Sequence, residues 1–216
     1  MLSYIYCKVK SKQEIIYMTV IVAATANAHK FEEYRALLGS QDVELHSLLD
    51  YPGFTPSEET GKTFKENASQ KALEACNYTD RPTFADDSGL EITALDNAPG
   101  IYSARYGKDD ADRIGRVLRE LEGKSDRSAR FVCVIAIAIN GEVIETFEGV
   151  MEGTIIDAPR GENGFGYDPI FVPKGETRTF AEMSSEEKNK ISHRARALQK
   201  ALDFIEDEMS VLDDEF

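Results

Sequence analysis

The stretch TVIVAATANAHKFEEYRALLG (19–39) decides the fold class. Its first seven residues form a short, continuous apolar run rich in β-branched side chains, the pattern of a buried strand. In its second half, Phe31, Tyr34, Leu37 and Leu38 recur at helical spacing, and Gly39 supplies a stop. A strand, a short polar turn and a helix in succession predict an α/β protein that opens with a nucleotide-type unit.

The rest of the chain extends that reading. Thr63 and Glu66 have capping-box spacing and open a second helix, TFKENASQKALEACNY, whose Phe64, Ala68, Ala72 and Ala75 make a narrow, small-residue face. TFADD (83–87) reads as a short strand and LEITAL (90–95) as a half-buried one, with Asp-Ser-Gly between them as a turn. A third helix spans 109–122 with Ile114, Val117, Leu118 and Leu121 inward. RFVCVIAIAI (130–139) is the strongest strand, and Asn140-Gly141 is a favoured hairpin turn into EVIETFEG. Ser184 and Glu187 form a second capping pair that opens one last helix, where Leu198, Leu202, Ile205, Met209 and Leu212 step by four and three. Residues 1–17 read as an extension outside the fold, because Met18 falls just before the first strand. No repeat, linker or domain boundary is evident.

Composition narrows the function. The 216 residues carry 25 Lys+Arg against 39 Asp+Glu, a formal net charge of −14. Half of that excess lies in residues 203–216, which contain seven acids and no base. An acidic chain repels nucleic-acid backbones at long range, so DNA and RNA are poor ligands. An anion would need a local cationic cluster. No apolar run is long enough for a membrane span, and no secretory signal is evident, so a cytoplasmic protein is the default. Cys7, Cys76 and Cys133 form no CxxC pair, and the last two sit in apolar-periodic segments as small hydrophobes.

Three loop regions hold more chemistry than connection requires. Thr25-Ala26-Asn27-Ala28-His29-Lys30 joins the first strand to the first helix, where free backbone N–H groups and Lys30 could face an anion. The plainer alternative is an ordinary turn capped by Asn27. Asp86 and Asp87 are neighbours on a strand and point to opposite faces, so they do not share a proton. One would face a ligand while the other ties down the loop. Asp87 with Glu59, from the segment SEETG, would suit Mg²⁺, which takes one or two carboxylates and keeps several waters. The third region pairs GENGFGYDP (161–169) with KNKISHR (188–194), where glycines let the Phe165 and Tyr167 rings approach a flat ligand. Ser192 and His193 are adjacent on a helical pattern without a GxSxG elbow, which argues against a hydrolase nucleophile.

Together TANAHK, EETGKTFKENASQKA, FADDSGLEITALDNAPGIYSARYG, PRGENGFGYDPIF and EEKNKISHR closely resemble the Ham1/RdgB family of noncanonical purine nucleoside triphosphate pyrophosphatases. The resemblance runs in order from about Val20 to Leu202, a domain of 18–202 followed by an acidic helix end and tail at 203–216. It implies a central mixed sheet flanked by helices, an elongated two-lobed shape with a nucleotide cleft between the lobes, and a homodimer. It also implies hydrolysis of ITP, dITP or XTP, with Mg²⁺, to the monophosphate and pyrophosphate.

By resemblance, the loop of Thr25, Ala26, Asn27, Ala28, His29 and Lys30 binds triphosphate, and Lys71 is another phosphate contact. Asp87 is the proton acceptor and a metal ligand, Glu59 is its partner carboxylate, and Ser88 touches substrate. Phe165, Gly166, Tyr167 and Asp168 cover the base, and Lys188, His193 and Arg194 complete the nucleotide contacts. His193 and Arg194 would donate to the C6 oxygen of hypoxanthine or xanthine and be left unpaired against adenine. One departure stands out: Ala26 occupies a position where the family's phosphate loop commonly has Gly, which matters only if the loop needs positive φ there. The alternatives are a Maf-like pyrophosphatase, which would lack FGYDP and SHR, and a silent nucleotide-binding module, which Asp87, Glu59 and Lys30 argue against.

Overall fold

The structure, a computed structural model, describes residues 7–10, 15–38 and 43–213. Its elements in chain order are β1 (Cys7–Lys10), β2 (Ile15–Ala23), α1 (Ala28–Leu38), β3 (Val43–Ser47), α2 (Phe64–Thr79), β4 (Thr83–Ile92), α3 (Asp110–Glu120), β5 (Ser128–Ile139), β6 (Glu142–Ile155), β7 (Phe171–Pro173), α4 (Ser185–Ile191) and α5 (His193–Asp213). Strand neighbours run β1-β2-β4-β5-β6-β7, with β3 also on β2. β2 pairs in parallel with β3 and β4, whereas β1–β2 and β6–β7 are antiparallel. This is a mixed α/β sheet, as expected.

The chain divides into two compact units, one of Met1–Asp86 and Ile135–Thr146, the other of Asp87–Val134 and Phe147–Phe216. No such boundary is evident in the sequence, because the chain changes units inside strands β4, β5 and β6 and composition does not shift there. In the first unit α2 buries Ala68, Ala72, Ala75 and Cys76, the small-residue face anticipated from spacing. Tyr34 of α1 meets Phe84 of β4 edge to face, with ring centroids 5.0 Å apart. Such pairs add about 1 kcal/mol beyond area burial. In the second unit Ile114 and Val117 of α3, with Leu121 at its C-cap, join Leu90, Ile92, Phe131, Ile170, Phe171 and Phe180 in one apolar cluster. Cys76 and Cys133 are buried thiols.

Three expectations change. Thr83–Ile92 is one continuous strand, not two separated by an Asp-Ser-Gly turn. Its first five residues are all buried, and tertiary burial on both faces overrides the turn preference of those residues. Thr63 accepts the Glu66 amide as an N-cap, but the Glu66 carboxylate accepts from Lys62 N, so the reciprocal half of the box is not made. The last helix is two: Ser192 adopts an extended conformation, closes α4 on Lys188 O and caps α5 by accepting the Ala195 amide at 3.1 Å. A serine hydroxyl competing for backbone groups breaks the run that hydrophobic spacing suggested. β2 begins at Ile15, three residues before Met18, and β1 pairs with it in antiparallel register.

The Asn140-Gly141 turn forms as expected. Both residues have positive φ, 52° and 78°, as a type I′ hairpin demands.

Candidate active site

The first unit positions the expected phosphate loop where β2 ends and α1 begins. Asn27 Oδ1 accepts the amides of His29 and Lys30, at 3.0 and 3.2 Å, and Asn27 N donates to Thr25 Oγ1. Two amides expected to face an anion are therefore occupied by the helix N-cap itself. Ala26 is absent from the described residues with positive φ, so its Cβ costs the loop nothing. Lys30 Nζ lies 2.7 Å from Asp86 Oδ2, and the Asp86 side chain is almost wholly buried. Asp86 is thus the acid that ties down the loop.

The segment before α2 is latched to that helix. Ser57 donates to Glu74 through both its amide and its hydroxyl, and Gln70 Nε2 donates to Ser57 Oγ and Glu58 O. Burial pushes the Glu74 carboxyl up, but the Ser57 and Gln70 hydrogen bonds outweigh it and hold it below the usual range. Within this latch Glu59 Oε1 accepts from Lys71 Nζ at 3.0 Å.

The second unit begins at Asp87, which is 7% exposed and on the opposite side of β4 from its neighbour Asp86. Ser88 Oγ accepts from Arg194 Nη2 at 3.3 Å. His193 and Arg194 form the first turn of α5 and are buried, and the His193 ring stacks on Phe131 at 4.7 Å.

The FGYD strip is pinned at several points. Asp168 Oδ2 accepts from Phe165 N at 2.9 Å and from Lys188 Nζ at 2.6 Å, in an ion pair whose lysine and aspartate side chains are 5% and 3% exposed. A Cβ on Gly164 would run into that carboxylate, so glycine there is required by the close approach. The Phe165 ring lies 4.8 Å from Lys188 Nζ and 5.7 Å from Arg194 Cζ, within cation–π range. Tyr167 corrects an expectation. Its side chain is core, 3% exposed, with its hydroxyl donated to Ser103 O at 2.8 Å. Burial pushes that hydroxyl's pKa far above the usual tyrosine value, so it stays neutral. The ring serves packing, not a flat ligand.

Three residues outside the expected set hold this region. Ser103 accepts the Leu90 amide on its hydroxyl and Tyr167 on its carbonyl. Asp110 Oδ2 accepts the Gly166 amide. Glu187 caps α4, the helix that carries Lys188. Only Glu187 had a sequence signal, its box spacing with Ser184; the others depend on contacts over 13 to 64 residues of chain.

The Arg178 guanidinium, followed by the Ser184 amide and hydroxyl, holds the Glu187 carboxyl down at about 2, against an ordinary 4.5. A depressed folded-state pKa contributes stability that is complete above 4.5 and is lost as pH falls towards 2. Urea midpoints measured from pH 5 to pH 2 should therefore fall less steeply for Glu187→Gln than for the wild type. Parallel curves would contradict this.

A mixed α/β sheet with Lys30 just past its first strand–loop–helix junction and with Asp86 and Asp87 on the neighbouring strand β4 is a frame of the kind nucleotide-handling enzymes use. A sequence model of the Ham1 family matches residues 21–204, and the chain belongs to that family. The dITP/XTP pyrophosphatase of Bacillus licheniformis is 50% identical over 189 residues, covering 85% of this chain and 96% of that one. That of Bacillus subtilis is 48% identical over 198 residues, covering 89% and 100%. A HAM1 protein from Coxiella burnetii is similar in structure, with a TM-score of 0.80 at 44% identity over 87% of this chain and 98% of that one. The Staphylococcus aureus Ham1 protein gives 0.79 at 40% identity, covering 88% and 100%.

Proposed function

We propose that the protein hydrolyses noncanonical purine nucleoside triphosphates (ITP, dITP and XTP) to the nucleoside monophosphate and pyrophosphate, cleansing the nucleotide pool. The observation that carries this reading is the match to enzymes named dITP/XTP pyrophosphatase over 96% to 100% of their length. The catalytic domain is 18–202, a boundary supported by the family match at 21–204. It acts as a cytoplasmic homodimer on free nucleotide and not on nucleic acid, which the net charge of −14 disfavours. Among the described residues no helix is long and apolar enough to cross a membrane.

In this mechanism Asp87 takes the proton of a water that attacks the α-phosphorus. The α–β anhydride bond breaks, and pyrophosphate leaves with that bond's electron pair. Thr25 to Lys30 and Lys71 hold the phosphates, and Lys188 adds charge that the triphosphate needs. Ser88 contacts substrate, the Phe165–Asp168 strip covers the base through the Phe165 ring and the strip's backbone, with the Tyr167 ring packed in the core beneath, and His193 and Arg194 donate to the base's C6 oxygen. Against adenine those buried donors lose their acceptor, at about 1–3 kcal/mol each.

The donor set fits Mg²⁺. Among the described residues no group of three or more His, Cys, Asp or Glu could close around an ion. Asp87 and Glu59 would each offer hard carboxylate oxygens, the kind of ligand Mg²⁺ takes while keeping its waters. When bound, the ion offsets phosphate charge and polarises the phosphoryl oxygens.

Pyrophosphate release from ITP, XTP, dITP, ATP and GTP, with Mg²⁺ and with chelator, tests the reading. ITP, XTP and dITP should be preferred by roughly 100-fold in kcat/KM, the scale that unpaired buried donors provide. Chelation should stop turnover. Preference for ATP or GTP would overturn the pool-cleansing role, and nucleotide binding without turnover would overturn the enzyme.

A further inference from the structure

We infer that Asp110 is a positioning residue for base recognition, setting the peptide between Phe165 and Gly166 that orients the Phe165 ring. This rests on the proposed function, in which residues 165–168 cover the purine.

Asp110 is the first residue of α3, where the helix N-terminus favours a carboxylate. Its Oδ1 is held by Arg113 Nη2 at 2.9 Å, and its Oδ2 accepts the Gly166 amide at 2.6 Å. The carboxylate is thus aimed, although its side chain is 45% exposed and part of no core. Gly166 has φ +63°, and a Cβ built there would meet nothing within 4 Å. Side-chain packing at that position therefore does not fix its φ. A glycine with open space can rotate between left- and right-handed φ at little cost, carrying the preceding peptide with it. Two hydrogen bonds hold that peptide: its carbonyl, Phe165 O, accepts the Asp168 amide at 3.3 Å, and its N–H donates to Asp110 at 2.6 Å, the shorter and charge-assisted of the two.

The other side-chain anchors of the strip act elsewhere. Asp168 holds the Phe165 amide, and Ser103 holds the Tyr167 hydroxyl. Asp110 holds the peptide between them. Losing it frees the ring side of the strip while leaving the residues assigned to the phosphates and to proton transfer intact.

Asp110→Ala and Asp110→Asn, made in the full chain, test this with the two reaction products as inhibitors. Inosine monophosphate carries the base and pyrophosphate does not. For Asp110→Ala, KM for ITP and the inhibition constant of inosine monophosphate should both rise about tenfold, the worth of one charge-assisted hydrogen bond. The inhibition constant of pyrophosphate and kcat should stay within about twofold, below the worth of any such bond. Asp110→Asn keeps an acceptor oxygen and should recover most of the loss. Equal weakening of both inhibitors would mean a general structural role, and no weakening of either would mean no role; each overturns the inference. If the wild type does not turn over ITP at all, the proposed function fails first, before any variant is compared.

Discussion

Asp87→Asn is expected to lower kcat for ITP roughly 10³-fold, in the range general-base removal costs, with little change in thermal midpoint. The amide has the carboxylate's shape and can still accept a hydrogen bond, so the buried site on β4 keeps its packing. What it loses is basicity: a neutral amide takes no proton from water near pH 7. The neighbouring Asp86 cannot substitute. It points to the other side of the strand and is engaged with Lys30 at 2.7 Å. Raising the divalent cation concentration should not rescue the variant. Rescue by metal would show that Asp87 serves the cation alone, and retention of most of the activity would remove it from the mechanism.

The second large effect is one of stability. Lys188→Met should cost about 3–5 kcal/mol, because it strands the Asp168 carboxylate in a site where both partners are almost fully buried. For a chain of this length that corresponds to a fall in melting temperature of roughly 10 °C. Lys188→Met combined with Asp168→Asn removes the uncompensated charge, and the double variant should regain much of the lost stability in urea unfolding. It should not regain activity, since Lys188 is assigned to the nucleotide. A single variant as stable as the wild type would show that the pair contributes nothing net to the fold. A double variant with restored turnover would show that the lysine has no part in the reaction.

These two residues also mark how far the sequence could be read. The strand at 130–139, the α2 small-residue face and the Asn140-Gly141 turn were legible because each follows from local periodicity or a local φ requirement. The candidate site was legible as five motif segments. Its partnering was not. Lys30, Lys71 and Lys188 were expected as cations for phosphate, and each proves to sit on a carboxylate: Asp86, Glu59 and Asp168. Such pairs join residues 56, 12 and 20 positions apart, and no spacing rule predicts a contact at those separations. The same holds for Tyr167, whose place beside Phe165 suggested a second ring for the ligand until its hydroxyl was found on Ser103.

By itself, the stretch 19–39 determined that the chain is α/β, since a β-branched run and a 3.6-residue apolar period cannot exchange places. The motif segments determined the family. The tertiary structure alone decided that β4 runs straight through Asp-Ser-Gly, that Ser192 divides the last helix, and that Asn27 consumes two amides of its own helix. At Asp-Ser-Gly burial decides, because it makes an unpaired polar group costly outside the ladder. At Asn27, which is exposed, and at Ser192 the local cap wins, because it satisfies amides that a helix start leaves without an intrahelical partner.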